Sequence, residues 1–310
     1  MTEKEKQSNN ISIVWDFDKT LTPQDSTTEL IRYFLGNETK DFWNEVKTIS
    51  GVDSKAPIDS ISTSEAPVWM HLLLEIAIYH DNKEKIELNE EQFSSLIAHK
   101  IEFYSNVPKF LQEIKNLSNK ELFKNNNIKI HHFIITAGLQ DLVSAVFKYH
   151  QSFDLITKIF GCRYKTIKDT KGLVKKNIPI YCMDKTTKTR ALFEISKGCF
   201  LPKAEYKVDD LVPIEKEWCQ FENIIYIGDG DTDIPAFSLV KSRRGMTVGV
   251  YNPEDSKENI MKKAKNITTG KRIDLFTPAN FKLDEELFYS IKIRCEQIAK
   301  RYKAYKNALA

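Results

Sequence analysis

An apolar run that ends on two carboxylates constrains this chain more than any other feature. Residues 13–22 read Ile13-Val14-Trp15-Asp16-Phe17-Asp18-Lys19-Thr20-Leu21-Thr22. The first three have the β-branched and aromatic character of a buried strand. Side chains alternate faces along a strand, so Asp16 and Asp18 start out pointing the same way. Two carboxylates at such a strand end repel each other, and burying them costs several kcal/mol unless a cation or hydrogen bonds compensate. The pair reads as a site for a divalent metal and a phosphate. Asp-x-Asp also occurs in solvated turns. The apolar run before it and Thr20-Leu21-Thr22 after it favour the buried alternative.

The same design recurs near the C-terminal third. Ile224-Ile225-Tyr226-Ile227 leads into Gly228-Asp229-Gly230-Asp231-Thr232-Asp233. Glycines allow a tight turn and close backbone approach. The aspartates are hard oxygen ligands suited to magnesium, which takes few carboxylates plus water and phosphate oxygens. A calcium-like acidic loop or an ordinary strand-to-helix turn is the plainer alternative.

Two further segments lie between and beside these. His131 to Ile135 reads as strand, followed by Thr136, the small residues Ala137-Gly138 and a helix from Gln140 through Val146. A hydroxyl and a helix start can hold an anion, although an N-cap threonine explains the same residues. Further on, Lys188 falls in the first turn of an amphipathic helix whose apolar face is Ala191, Leu192 and Ile195. A cation there opposes the helix dipole. The conflict hints at a functional job such as neutralising phosphate, with a solvated lysine as the plain reading and Lys185 as a near competitor.

In order and type, the four segments resemble the haloacid dehalogenase-like superfamily, particularly its phosphoserine-phosphatase-like branch. Asp16 to Thr22 matches the first motif, Thr136 the second, Lys188 (with Leu192 four residues on) the third, and Gly228 to Asp233 the fourth. The resemblance implies a magnesium-dependent phosphatase for small phosphomonoesters, with a phosphoserine-like compound as one candidate substrate. It implies Asp16 as nucleophile and Asp18 as general acid and base. It places Thr136, Ala137, Gly138 and Lys188 on the phosphoryl group. It gives the metal to Asp16, the Asp18 backbone carbonyl and Asp229, with Asp233 in support. Members that act on halides lack the second aspartate, so Asp18 points to the phosphatases. Lys19, Thr232 and Pro235 depart from the usual phosphoserine phosphatase pattern and loosen the link to phosphoserine itself.

The resemblance also implies a fold: a three-layer, Rossmann-like α/β core with a mainly parallel sheet, and an α-helical cap inserted after the first motif. The expected division is a core at 1–25 and 105–310 and a cap at 26–104. Within the cap, helices are expected from Asp25 to Gly36, over Phe42–Ile49, over Glu65–His80 and over Asn89–Tyr104, with a loop at 51–64. Pro108 opens a helix through Leu117. Residues 150–183 read as a β-rich insertion, and 284–305 as a terminal helix buried along Leu287, Ile291, Ile298 and Tyr302. By the same resemblance Asp25 falls where an acidic group meets the substrate's amine, with an N-cap near the helix start as the equal alternative. Arg32 is a candidate for a substrate carboxylate, with a solvent-facing side chain as the alternative. Trp43, Trp69, His71 and Tyr79 are candidates for a cap pocket, although at helical spacing such residues more often form the cap's own core.

Composition excludes other classes. At 310 residues the chain can bury a substantial core. Lys+Arg 46 nearly cancels Asp+Glu 43, so no basic field invites nucleic acid. Five scattered cysteines without metal-ligand spacing fit a reducing cytoplasm. No run approaches the roughly 18 apolar residues of a membrane span. Lys- and Asn-rich stretches at 119–129 and 256–266 read as solvated. The expected partner is a small phosphorylated metabolite. Phosphotransfer to an acceptor other than water, or a non-catalytic binding protein on the same fold, are the alternatives.

Overall fold

Strand β1 (Asn9–Trp15) organises the molecule, with Ile11, Ile13, Val14 and Trp15 wholly buried. The computed structural model describes residues 9–51, 64–79 and 86–308. After β1 and its turn come helices α1 (Ser26–Leu35), α2 (Thr39–Ser50), α3 (Glu65–Tyr79) and α4 (Glu90–Leu96). Asp25 caps α1, its carboxylate accepting from Thr28 N at 2.8 Å, and Gly36 at φ +56° closes it. The loop expected at 51–64 falls on residues outside those described, its two ends apart, as do His80 and the Tyr79 side chain.

The chain then runs through α5 (Val107–Asn116), α6 (Glu121–Lys124), β2 (Ile128–Leu139), α7 (Gln140–Tyr149), β3 (Ile156–Lys168), β4 (Val174–Tyr181) and α8 (Thr187–Lys197). It ends with β5 (Ile224–Gly228), α9 (Ile234–Ser242), β6 (Met246–Tyr251), α10 (Lys257–Thr268), β7 (Leu275–Pro278) and α11 (Glu286–Ala308). The strands form one sheet in the order β4-β3-β2-β1-β5-β6-β7. Every pairing is parallel except β3 with β4. Parallel strands need covered faces, which is why β1, β2 and β5 each carry a buried apolar run, over residues 13–15, 133–135 and 224–227. The expected α/β, mainly parallel, Rossmann-like fold is the observed one.

The topology sets the site. From β1 the chain builds outward to β2 and β3 on one side, then returns to build β5, β6 and β7 on the other. The carboxyl ends of β1, β2 and β5 therefore flank a topological switch point, where open α/β sheets bind ligands.

One helix is shorter than its pattern suggests. The stretch 89–104 is helical only to Leu96, followed by a 3₁₀ turn at Ala98–Lys100. Beyond it the backbone serves tertiary contacts instead: Tyr104 N donates to Leu21 O at 2.9 Å, and Ile101 O meets His150 Nε2 at 2.9 Å. The β-rich segment expected at 150–183 is the β3–β4 hairpin, and α3 leans on it. Tyr164 OH donates to Met70 O, and Asn177 Nδ2 donates to Ile86 O at 2.9 Å. α4 docks on α7 through Glu90, which meets Ser144 and Lys148. The terminal helix buries Leu287, Ile291, Cys295 and Ile298 against the core.

Candidate active site

The end of β1 delivers Asp16 into an enclosed position, 4% exposed. Its N–H still belongs to the sheet, donating to Ile227 O at 2.8 Å. Beyond it the chain turns sharply. Thr20 N and Leu21 N both donate to Phe17 O, and Lys19 takes a left-handed φ of +58°. Lys19 points outward, its Nζ 3.9 Å from Asp25 Oδ2. Thr20 Oγ1 lies 3.4 Å from Asp16 Oδ2.

Lys188 enters from the start of α8 and is wholly buried. Its Nζ donates to Asp16 Oδ1 at 2.8 Å and to Asp233 Oδ1 at 2.7 Å. The helix start is capped from upstream, because Asp184 Oδ1 accepts from Thr186 N and Thr187 N. That leaves Lys188 free to turn inward, where the carboxylates outweigh the unfavourable dipole. Lys185 lines a neighbouring cavity instead.

The turn after β5 folds Asp233 back over its own strand. Tyr226 OH donates to Asp233 Oδ1 at 2.7 Å, and Gly230 N donates to Oδ2 at 3.2 Å. This is possible because residue 228 is glycine: a Cβ there would stand 2.5 Å from the Asp233 carboxyl carbon. Asp229 has a different partner. Its Oδ2 meets Lys263 Nζ, from α10, at 2.8 Å. Ligand oxygens of Asp16, Asp229 and Asp233 all lie within 4.8 Å of one another.

The end of β2 completes the arrangement. The small-residue turn expected at Ala137-Gly138 is an irregular stretch of strand, with a register shift between Ile135 and Leu139. Gly138 N donates to Thr136 Oγ1 at 2.9 Å, which leaves the threonine's own proton available to a ligand. A Cβ on Gly138 would come within 3.1 Å of Asp18 Oδ2 and 3.3 Å of Ser26 Oγ. Asp18 is itself tied to α1, its Oδ1 accepting from Ser26 N at 2.7 Å. Gly161 of β3 packs equally close behind Thr136 and Gln140.

Burial governs the electrostatics. It pushes the Asp16 carboxyl well above the usual range, with Lys188 pulling it back and Asp233 and Asp229 pushing it further. Asp18 is pushed up to about 7 by burial and then by Asp25, against the Ser26 amide. Asp229 is raised by burial, and Lys263 opposes the rise. Burial also works against the charge on Lys188, but Asp16 and Asp233 outweigh it and hold the ammonium above its ordinary value. A carboxyl balanced near neutrality, as Asp18 is, suits proton transfer.

The profile of the haloacid dehalogenase-like hydrolases matches residues 13–162, which carry Asp16, Asp18 and Thr136. Over that stretch the chain is similar to the haloacid dehalogenase-like hydrolases, as its motifs suggest. An uncharacterized protein of Borreliella burgdorferi is 26% identical over 93% of this chain and 96% of its own. Among solved structures, cytosolic 5'-nucleotidase IIIB bound to cytidine superposes with a TM-score of 0.54 at 15% identity, over 96% of this chain and 88% of that one. A predicted phosphatase from Clostridium acetobutylicum gives a TM-score of 0.50 at 13% identity, over 92% and 99%. These likenesses show the shared fold.

Haloacid dehalogenase-like phosphatases typically use a divalent metal, and the donor set here fits one. Buried carboxylate oxygens gathered this closely are hard ligands whose mutual repulsion a dication relieves. A cavity of about 500 Å³ adjoins the site, lined by Glu65, Trp69, Ala137, Lys185 and Thr232 among others. Among the described aromatic and histidine side chains expected around a cap pocket, Trp69 is the one this cavity includes. Trp43 lines a separate cleft, and His71 is exposed beside Glu75.

The structure does not bring every candidate together. Arg32 is exposed, paired with Glu29, and lines the cleft with Thr28, Thr39 and Trp43. Asp25 is occupied as the cap of α1. Two site residues escaped the sequence reading. Tyr226 passes for core in an apolar strand. Lys263 hides in the lysine-rich stretch 256–266, yet it sits four residues before the buried Ile267, on the inward stripe of α10.

Proposed function

We propose that the protein is a magnesium-dependent phosphatase that hydrolyses a small phosphomonoester through an aspartyl-phosphate on Asp16. The observation that carries this reading is Lys188, wholly buried and bridging Asp16 to Asp233. A lysine is placed there at high desolvation cost, beside a carboxylate that would otherwise repel an anionic substrate. Asp16 and Asp229, with the Asp18 carbonyl, would hold the magnesium ion. When bound it supplies charge neutralisation for nucleophile and phosphate.

The residues divide the work as follows. Asp16 attacks phosphorus, and the ester oxygen leaves with the proton carried by Asp18. Asp18, now a carboxylate, takes a proton from the water that attacks the phospho-aspartate. Inorganic phosphate departs and Asp16 is restored. Thr136, with its hydroxyl proton free, and the backbone at Ala137 and Gly138 hold the phosphoryl oxygens. Lys188 offsets their charge throughout, and Asp233 keeps Lys188 in place. Little covalent chemistry is left to the protein beyond positioning and electrostatics.

Residues 26–104 would act as a cap on a core of 1–25 and 105–310, with the leaving group in the cavity beside Trp69 and Glu65. Phosphoserine-like compounds remain candidates on motif grounds. Nucleoside monophosphates join them because the similar 5'-nucleotidase holds cytidine. Five unpaired cysteines suit a reducing cytoplasm.

The test is phosphate release from a panel of both ester classes, with magnesium, with chelator, and with Asp16→Asn. Turnover should require magnesium and fall by roughly a thousandfold or more in the variant. Unchanged turnover by Asp16→Asn would remove the proposed nucleophile. Added alcohols, followed by product analysis, separate hydrolysis from transfer.

A further inference from the structure

We propose that Lys263 is a built-in competitor for the metal position. Its ammonium occupies the open carboxylate of Asp229 when no divalent cation is bound, and it withdraws when one binds. The inference rests on the magnesium site proposed above.

Three observations support it. The first is how the carboxylate oxygens are used. Asp233 is committed at both oxygens to Lys188, Tyr226 and Gly230, and Asp16 Oδ1 is held by Lys188. Asp229 is met by Lys263 at 2.8 Å, from an element that carries none of the four motifs. The second is freedom to move. Lys188 is sealed in the core, whereas the Lys263 side chain is 20% exposed and so has a route to solvent. Ile267 is the buried anchor of α10, one turn beyond, so the lysine can swing without unpacking the helix.

The third is charge. Asp16, Asp229 and Asp233 against Lys188 leave two negative charges in the cluster. Lys263 halves that excess and a dication in its place would cancel it. Both together would overshoot, so exchange is favoured over coexistence. The lysine keeps a metal-free site from carrying its full repulsion, and it sets the magnesium concentration at which the site loads.

The experiment is calorimetric titration of magnesium into the native chain, Lys263→Met and a control, Lys262→Met, on the exposed face of the same helix. Methionine preserves side-chain length along the helix stripe. Lys263→Met should tighten the magnesium Kd about tenfold, or about 1.4 kcal/mol, and the control should match the native chain. Thermal midpoints give a second readout. Lys263→Met should melt below the native chain in chelator, and the gap should close at saturating magnesium. An unchanged or weaker Kd in Lys263→Met, beside normal binding by the native chain, overturns the inference and leaves the metal site standing. A midpoint gap that persists in magnesium also overturns it, because the lysine would then be structural. Folded native chain and Lys263→Met that both fail to bind magnesium overturn the metal site and the inference together.

Discussion

Asp229 and Asp233 leave the same turn after β5, four residues apart, and their surroundings differ in kind. Asp233 is wholly buried and receives an ammonium, a phenol and a backbone amide. Asp229 retains slight exposure and meets one lysine that reaches in from outside. A carboxylate satisfied on both oxygens by fixed protein donors has little left to offer a ligand. One held by a single movable cation can exchange it. The contrast separates a carboxylate that builds the site from one that the site can use.

The largest expected effect tests that separation directly. Asp233→Ala strips Lys188 of one buried partner and leaves the Tyr226 hydroxyl and Gly230 amide unpaired. Removing one member of a buried ion pair costs about 3–5 kcal/mol. Asp229→Ala instead removes one of three mutually repelling carboxylates, so its chemical-denaturation stability in chelator should stay within about 1 kcal/mol of native. Magnesium should stabilise the native chain and give Asp229→Ala almost no protection. Equal losses from both variants in chelator would break the distinction.

The next effect is steric. Gly228→Ala places a methyl 2.5 Å from the Asp233 carboxyl carbon, closer than real Cβ contacts. The obstruction is part of a short turn held at both carboxylate oxygens, so the turn must shift. Overpacking of this kind costs about 1–3 kcal/mol. Because Lys188 would follow Asp233, activity should fall with stability. Native stability and activity in Gly228→Ala would mean that Asp233 need not fold back over its strand to hold the lysine.

The comparison also explains what could be read from the chain. Asp16, Lys188, Asp229 and Asp233 stand out because buried strands end abruptly on carboxylates and because a lysine sits against its helix dipole. Those are local conflicts, visible without coordinates. The parallel sheet is legible for a related reason, since covered faces force continuous apolar runs. What local patterns cannot show is where a conformation is chosen by distant partners. The helical pattern over 89–104 gives way after Leu96 because the Tyr104 amide is taken by Leu21 and the Ile101 carbonyl meets His150. Arg32 looks like a carboxylate clamp until Glu29, three residues before it, claims its guanidinium. Lys263 disappears among its lysine neighbours unless its spacing to Ile267 is noticed, and even then nothing local names Asp229 as its partner.

Tyr226→Phe gives the smallest expected effect and the finest test of what holds Asp233. The ring is wholly buried and packs edge-on against Phe237, so phenylalanine keeps its volume and contacts and opens no cavity. Only the hydroxyl at 2.7 Å is lost. A hydrogen bond to a charged group contributes about 1.5–3 kcal/mol, and Asp233 Oδ1 would still keep the Lys188 ammonium, so a loss near the lower end is expected. Denaturant midpoints measure it, and comparison with Asp233→Ala divides the site between its neutral donors and its ion pair. A small loss with retained turnover places the burden on Lys188 and the Gly230 amide, with the phenol as a stabilising prop. A loss as large as that of Asp233→Ala would mean that Lys188 and the Gly230 amide do not satisfy this carboxylate without the phenol, and that the neutral donor is what makes the buried pair possible.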